Sequence, residues 1–213
     1  MFTGIVQGSF AISSLLNESG IARIGIVLPA ALRDGLAIGA SVAIDGVCLT
    51  VTEINDDLVR FDAIDQTLKV TTLGELVERS KVNIERSFKQ GVEVGGHIVS
   101  GHIDDTAEIV KIADTDNNRT FTYKVSPSVA KYILDKGFIA VNGCSLTVAR
   151  IDKQANTFDI CYIPETLRVT THGDKTVGSF VNIEVDRQTQ AIVDTVERVL
   201  RDNPQMIKDI LQG

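Results

Sequence analysis

The sequence predicts a mainly β protein made of two similar small barrels followed by a C-terminal α-helix. Three observations predict this fold. The chain repeats itself at a spacing of 97 to 99 residues, and each copy holds short runs of Val, Ile and Thr bounded by turn residues. The repeat then stops before an amphipathic segment near the C-terminus. Short strands with few helical stretches between them are typical of closed barrels rather than parallel sheets.

The repeat rests on five ordered matches at nearly one spacing. The spacing rises from 97 to 99 between Asp159 and Thr166, and a two-residue insertion explains the change. The matched pairs are Gly4 and Gly101, Gly46–Val51 and Gly143–Val148, Phe61–Asp62 and Phe158–Asp159, Thr67–Thr72 and Thr166–Thr171, and Val82–Glu85 and Val181–Glu184.

Turn signals lie at equivalent places in the two copies. Asp45-Gly46 divides the β-rich run Ser41–Thr52, and Asn142-Gly143 divides Phe138–Val148. Asp-Gly and Asn-Gly are the strongest short signals for a β-hairpin. Short helical turns are also predicted near prolines, at Pro29–Leu36 and Ser126–Leu134.

The predicted division of the chain is a first barrel over residues 1–97, a second over 98–186, and a helix over 187–213. The segment Ser87–Gly96 is rich in glycine, which allows the backbone more conformational freedom and indicates the boundary between the copies. In the helix, apolar residues form one stripe. That stripe packs on its own barrel or on other subunits, and the sequence leaves both options open. Its members are Ile192, Val196, Val199 and Leu200.

Composition excludes several classes of protein. The 21 Lys and Arg stand against 28 Asp and Glu, a net charge of −7 with no basic block, so a nucleic-acid partner is not expected. The N-terminus lacks the features of a signal peptide, and no run of 18 apolar residues predicts a membrane span. Three cysteines are too few for a disulfide framework and suit a reducing cytoplasm.

Five segments, Met1–Val6, Asp45–Val51, Gly95–Asp104, Ile163–Leu167 and Val181–Asp186, together resemble the riboflavin synthase family. The resemblance runs from residue 1 to about residue 200. It implies two six-stranded antiparallel Greek-key barrels and a C-terminal helix that supports a homotrimer. It also implies the last step of riboflavin biosynthesis, in which two 6,7-dimethyl-8-ribityllumazine molecules give riboflavin and 5-amino-6-ribitylaminouracil. A four-carbon unit is transferred without a redox cofactor or metal, between the N-terminal barrel of one subunit and the C-terminal barrel of its neighbour.

Two identical substrates must act as donor and acceptor, so positions where the copies differ are candidate catalytic residues. Cys48 stands where the second copy has Ser145. Strand alternation places Cys48 with Thr50, and Ser145 with Thr147, on polar faces that suit a pocket in a barrel mouth. By itself a cysteine in such a strand is more often a small buried apolar residue. The resemblance favours the pocket, with the thiol as a donor or a nucleophile.

His102 stands opposite Ile5 and suits proton transfer at a substrate methyl group. Gly101, just before it, would allow a ligand to approach closely. His97 lies five residues earlier, so a strand would point the two rings to opposite faces, which makes a poor metal pair. We therefore interpret His97 as structural and expect no metal. Asp186 orients a ligand hydroxyl or a catalytic group, or caps the final helix.

Lys136 stands opposite Gly39, and the resemblance favours a ligand contact over an exposed turn residue. Gln66, opposite Glu165, lacks a carboxylate, so a charged role there is in doubt for the first copy. The complete set of predicted substrate-binding residues is Gly4, Ile5, Val6, Ser41, Cys48, Leu49, Thr50, Asp62, Ala63, Ile64, Thr67, Gly101, His102, Ile103, Lys136, Ser145, Leu146, Thr147, Cys161, Tyr162, Ile163, Pro164, Glu165 and Thr166.

Three other functions compete with the enzyme. A fluorescent antenna protein that binds a lumazine or flavin without turnover is built on the same barrels, but such proteins tend to blur one ligand site. A flavin-dependent reductase would need a nicotinamide-binding domain, and no Gly-x-Gly-x-x-Gly follows a strand here. The paired polar faces argue against a purely structural double barrel.

Overall fold

In the computed structural model, which describes residues 1–18, 20–89, 91, 93–114 and 118–203, the first copy forms a closed antiparallel barrel. Its strand order is β1-β2-β5-β4-β3-β6. The strands are β1 (Gly8–Glu18), β2 (Ile21–Val27), β3 (Ser41–Ile44), β4 (Val47–Asn55), β5 (Leu58–Ile64) and β6 (Lys81–Arg86).

The second copy forms a seven-stranded sheet instead of the expected six strands, because the counterpart of β4 is split in two. The halves, β10 (Cys144–Thr147) and β11 (Arg150–Asp152), are the two edge strands of the sheet. Only Val148 and Ala149 separate them in the chain, so the two edges of the sheet are joined by two residues of backbone. At the equivalent place in β4 the register shifts between Val51 and Glu53, which is a β-bulge. The strands are β7 (Asp105–Asp114), β8 (Arg119–Lys124), β9 (Phe138–Val141), β10 (Cys144–Thr147), β11 (Arg150–Asp152), β12 (Thr157–Tyr162) and β13 (Phe180–Val185).

Apolar side chains fill the interior of each barrel. In β4, Val47, Leu49 and Val51 point into the core while Cys48 and Thr50 lie on the outer face, which confirms the predicted alternation. The predicted hairpin turns are also present, with left-handed backbone at Asp45-Gly46 and at Asn142-Gly143. The largest fully buried side chains of the second core are Phe121, Tyr123, Phe158 and Tyr162.

Four short helices connect the strands: α1 (Ala30–Arg33), α2 (Asp65–Val70), α3 (Pro127–Ala130) and α4 (Pro164–Val169). Helices α1 and α3 confirm the helical turns predicted near prolines. Helices α2 and α4, each followed by a 3-10 turn, were not predicted, because six residues are too few to display a helical period. The 3-10 turns span Thr72–Glu75 and Thr171–Asp174.

The C-terminal helix α5 spans Arg187–Asp202, and the predicted continuation over 204–213 lies outside the described residues. Its polar side faces its own barrel, where Lys131 Nζ lies 2.6 Å from Glu197 Oε2. Three of the four residues of the apolar stripe are exposed, with Ile192 64%, Val196 51% and Val199 40% accessible, and Leu200 is half-buried. The option that this stripe packs on its own barrel is therefore wrong. Within the described residues, no helix has the length and apolar character needed to cross a bilayer.

Where the two barrels meet, each contributes a buried asparagine whose side chain hydrogen-bonds to the other barrel. Asn83 Nδ2 of β6 donates to the Asn142 carbonyl at 3.0 Å, and its Oδ1 accepts from Thr171 N at 2.7 Å. Asn182 of β13 makes the mirror-image bonds to the first barrel, at 2.9 and 2.8 Å. Both asparagines are buried, so each amide replaces its hydration with bonds to the other copy. We call this set of contacts the barrel–barrel contact.

Candidate functional site

Each copy opens with an irregular segment that reaches the other barrel. We call residues 2–6 the first crossing segment and residues 99–103 the second. They pair through Phe2 and Val99, whose backbone bonds measure 2.7 and 3.0 Å. The carbonyl of Gly4 accepts from Ser145 N at 2.8 Å, and that of Gly101 accepts from Cys48 N at 2.9 Å. Each of these two candidate catalytic residues therefore lies against a segment of the other copy.

A buried glutamate anchors each crossing segment. Glu85 accepts from the backbone N and Oγ1 of Thr3, both at 2.7 Å, and from Gly4 N at 3.0 Å. Glu184 receives the same set of bonds from Ser100 and Gly101. Burial raises the pKa of Glu85, although the bonds from Thr3 and Gly4 oppose the shift. The repeated Val-Asn-Ile-Glu sequence thus supplies both the asparagine of the barrel–barrel contact and this anchor.

The glycines of the crossing segments are required by close packing against the other barrel. A Cβ on Gly101 would lie 2.5 Å from Cys48 Cβ, and one on Gly4 would lie 2.5 Å from Ser145 Cβ. Both glycines have left-handed φ angles, +84° and +74°. We expected Gly101 to leave room for a ligand. The side chain of Cys48 occupies the place of a Cβ on Gly101, and close approach of a ligand to this glycine stays a prediction.

The first-barrel group lies on the outer face of the first barrel. Ser41 pairs with Thr50 across β3 and β4, and Val51 pairs with Phe61, so Asp62 follows on the same outer face. The second crossing segment joins this face through its bond to Cys48. The group has exposed or half-buried side chains and consists of Ser41, Cys48, Thr50, Asp62, Ile64, Thr67, His102 and Ile103. Of these, Ile103 also packs against the first core.

The second-barrel group occupies the equivalent face of the second barrel. Here Thr147 pairs with Phe138 rather than with a serine, so an aromatic ring replaces a hydroxyl at the edge of the face. Glu165 is held by Arg168 in an exposed ion pair at 2.6 Å. The group consists of Ile5, Lys136, Ser145, Thr147, Cys161, Ile163, Pro164, Glu165 and Thr166.

Other predicted binding residues direct their side chains away from these faces. Tyr162 is 1% exposed, and its hydroxyl lies 2.6 Å from that of Tyr123 inside the second core. A ligand on the outer face can meet such residues only through their main chain. The predicted pocket in a barrel mouth is therefore wrong, because side chains fill each interior. The buried or core-facing residues of the predicted set are Gly4, Val6, Leu49, Ala63, Gly101, Leu146 and Tyr162.

His97, which we interpreted as structural, contacts a candidate catalytic residue. Its Nδ1 lies 2.7 Å from Ser145 Oγ, and its ring stacks on Phe138 with centroids 5.2 Å apart. Burial lowers the pKa of His97, although the charges of Asp186 and Glu184 oppose the shift. Neither His97 nor His102 lies in a strand, so the alternation argument did not apply to them. The one sequence signal that could have identified His97 as a site residue is its position within Gly95–Asp104, a segment that resembles the riboflavin synthase family.

Asp186 caps α5, as one of the two interpretations predicted. Its Oδ2 accepts from the backbone N of Thr189 at 2.8 Å and from Oγ1 at 2.7 Å. Burial favours a higher pKa, but these bonds and the charge of His97 outweigh it and lower the pKa of Asp186. Among the described residues, no three or more His, Cys, Asp or Glu side chains are grouped so that they could hold a metal ion.

Lys136 is exposed and has a left-handed backbone conformation, with φ of +63°. The equivalent residue in the first copy is Gly39, with φ of +89°. A lysine in this region is strained, and strained residues cluster at functional sites. The strain supports a functional reason for a lysine at this turn.

Comparisons with known proteins identify the repeat. A model of the lumazine binding domain matches residues 3–87 and again 100–186. The chain is 51% identical over 201 residues to riboflavin synthase of Escherichia coli (strain K12), which covers 94% of this chain and 93% of that one. It is 38% identical over 186 residues to riboflavin synthase of Bacillus subtilis (strain 168), with 87% and 85% covered.

Solved structures share the two-barrel fold. LumP complexed with riboflavin superposes with a TM-score of 0.80 at 30% identity, and LumP complexed with 6,7-dimethyl-8-(1'-D-ribityl) lumazine with 0.79 at 29%. Each match covers 88% of this chain and all of the other. The two domain matches and the identity over nearly the whole length of the relatives show that the chain is an enzyme of riboflavin biosynthesis and belongs to the riboflavin synthase family.

Proposed function

We propose that this chain converts two molecules of 6,7-dimethyl-8-ribityllumazine into riboflavin and 5-amino-6-ribitylaminouracil. The observation that carries the proposal is the pair of equivalent outer faces with unlike side chains. Two equivalent faces suit two identical substrates. Unlike residues at equivalent positions, such as Cys48 and Ser145, can make one substrate the donor and the other the acceptor of the four-carbon unit.

In the first-barrel group, the exposed imidazole of His102 can accept a proton from a substrate methyl group. The thiol of Cys48 lies beside the same segment, as a hydrogen-bond donor or as a nucleophile. In the second-barrel group, Ser145 is paired with His97, and Lys136 adds a positive charge. Holding the two lumazines face to face replaces a bimolecular encounter by a positioned reaction, which lowers a barrier by roughly 7–11 kcal/mol.

The proposed enzyme is a homotrimer in which a first-barrel group meets the second-barrel group of a neighbouring subunit. Both groups lie on exposed faces, so a single chain does not enclose its substrates. The exposed apolar stripe of α5 supports assembly, since burying it requires another subunit. In this scheme residues 1–97 and 98–186 form the two lumazine-binding barrels, each binding face being completed by the crossing segment of the other copy, and 187–213 assembles the trimer. Its three cysteines are free, which agrees with a proposed location in the reducing cytoplasm.

A protein that binds the lumazine without turning it over is the second candidate. The LumP complexes carry this alternative, because they hold riboflavin or the lumazine on a similar fold. Two observations favour the enzyme. Identity is higher to the riboflavin synthase of Escherichia coli than to LumP. Both copies also keep the Leu-Thr-Val and Thr-Leu-basic-Val-Thr-Thr elements, and Cys48 and His102 are both present.

Incubation with 6,7-dimethyl-8-ribityllumazine tests the proposal. We expect riboflavin to appear by absorbance, with one riboflavin for every two lumazines consumed. His102→Gln should lower turnover while preserving the thermal unfolding profile. Binding of the lumazine without riboflavin formation would instead support the binding protein. A titration that counts one ligand per chain at saturation would refute the two-site scheme.

A further inference from the structure

The second crossing segment carries His102 and continues to Asp104. Asp104 Oδ2 accepts from Val185 N at 2.9 Å. In the first copy, Gln7 Oε1 accepts the equivalent bond from Arg86 N at 2.8 Å. Together with the glutamate anchors, these bonds are common to both copies. They hold each segment on its barrel but do not distinguish the two segments.

Arg187 adds bonds that only the second segment has. Its Nη1 donates to Asp104 Oδ1 at 2.7 Å, and its Nη2 donates to the carbonyl oxygen of His102. Its Nε also lies 3.8 Å from Glu184 Oε1. The guanidinium therefore ties the main chain of His102 to two carboxylates. Charge-assisted bonds of this kind are stronger and more directional than neutral ones.

The first copy has Glu85 in the place of Glu184 but lacks both the guanidinium and the second carboxylate. Phe88 stands at the position of Arg187, Gln7 at that of Asp104, and Ile5 at that of His102. The backbone N of Phe88 donates to the carbonyl of Met1 at 3.1 Å. The cation and its extra carboxylate therefore occur only in the copy whose segment carries the imidazole.

The position of Arg187 in its own helix is unfavourable. It is the first residue of α5, where the helix dipole disfavours a positive charge by about 0.3–1 kcal/mol. The cap by Asp186 and the carboxylates of Asp104 and Glu184 offset that cost. Arg187 Nη1 also donates to Gln190 Oε1 within the helix at 2.7 Å, but the bonds to Asp104 and His102 lie outside the helix.

The His102 side chain depends on this support. Its imidazole is exposed, and no hydrogen bond to it is formed by the residues that the structure describes. The main-chain bonds are the Ser100 Oγ contact to His102 N at 3.2 Å and the Arg187 contact to its carbonyl. Among the described residues, hydrogen bonds therefore restrict His102 only through its backbone, which sets the position from which the imidazole extends.

We propose that Arg187 is a positioning residue for His102, which fixes the backbone that carries the imidazole. The inference rests on the proposed function, in which His102 accepts a proton from the substrate. Without the guanidinium, His102 is still present, but the backbone that carries its imidazole is held less precisely relative to the substrate. Misplacement of a catalytic group lowers the rate of the chemical step more than it weakens substrate binding.

The test compares Arg187→Met with Arg201→Met, which removes an exposed arginine of the same helix whose ion-pair partner is its neighbour Asp202. We expect Arg187→Met to lower kcat roughly tenfold and to change KM by less than about twofold. Arg187→Lys should restore part of the loss, since an ammonium keeps the charge but not the fork of donors. Arg201→Met should keep wild-type kinetics.

A double-mutant cycle separates positioning from a structural effect. In a His102→Gln background, Arg187→Met should lower the residual kcat no further, because the aimed imidazole is already gone. An equal additional loss in that background would overturn the inference while leaving the role of His102 intact. Wild-type kinetics for Arg187→Met would overturn it as well. Wild-type kinetics for His102→Gln would instead refute the proposed role of His102 and, with it, this inference.

Discussion

Replacing Asp45 with Asn tests the charge state of a carboxyl group at the barrel–barrel contact. Asp45 is 2% exposed, and its Oδ1 accepts from Asn83 N at 2.8 Å. Burial raises the pKa of Asp45 from 3.8 to about 6, although the Asn83 bond and the charge of Lys175 oppose the shift. The second copy has Asn142 at this position, whose Oδ1 accepts the equivalent bond at 2.7 Å.

The direction of the change in stability with pH follows from the difference between the pKa of Asp45 in the folded and in the unfolded protein. The folded state binds the Asp45 proton more tightly than the unfolded chain, so the protein loses stability as pH rises from about 4 through 6. Above that range, ionised Asp45 lowers the free energy of unfolding by about 3 kcal/mol, since each pKa unit corresponds to about 1.4 kcal/mol. Integrating the same two pKa values between pH 5 and pH 8 gives a loss of about 1 kcal/mol.

Urea unfolding of the wild type and Asp45→Asn at pH 5 and pH 8 measures this difference. The change between pH values is the useful quantity, because an Asn at position 45 also adds an amide nitrogen. In the second copy, Asn142 Nδ2 has no hydrogen-bond partner within the part of the chain that the structure describes. Going from pH 5 to pH 8, the free energy of unfolding of the wild type should fall by about 1 kcal/mol more than that of the variant at equal protein concentration. The same pH dependence for both proteins would refute the raised pKa.

Three further substitutions test the site and the assembly. Cys48→Ser places the side chain of Ser145 in the first copy and should lower turnover roughly tenfold without changing the unfolding midpoint; an unchanged rate would exclude a role for the thiol. Lys136→Gly should raise the free energy of unfolding by up to about 1 kcal/mol by relieving left-handed strain, and should still lower kcat/KM, whereas Gly39→Lys should destabilise the fold by about 1–2 kcal/mol. Val196→Asp should reduce the proposed trimer to monomers in analytical ultracentrifugation, because it puts a charge on the stripe proposed to be buried between subunits. Arg198→Gln, a polar change on the same helix, should leave the proposed trimer intact.

Local patterns were sufficient to predict the barrels. Alternation placed Val47, Leu49 and Val51 inside, and the Asp-Gly and Asn-Gly turns marked the hairpins. Both features depend on residues that are neighbours in the chain. The interior was misjudged because alternation identifies two faces but does not reveal how completely the inner one is filled.

The candidate site depends on contacts between distant residues, and these were the least predictable. Nothing near Cys48 in the sequence indicates that Gly101 packs against its side chain. The contact of His97 with Ser145 likewise joins an irregular segment to a strand 48 residues away. Positions at which the two copies differ, such as Cys48 and Ser145, carry the clearest sequence signal, because they mark where the two faces must differ.

The asparagine contacts between the barrels have the form of an isologous interface, in which the same surface is used by both halves. Asn83 of the first barrel bonds to the second barrel, and its counterpart Asn182 makes the equivalent bonds to the first. A single-barrel ancestor with this Asn would make the same contacts twice in a symmetric dimer. Joining the two genes would then preserve the contacts while freeing each half to mutate separately. Pairs such as Asp45 and Asn142 are substitutions that a symmetric dimer could never carry on one side alone.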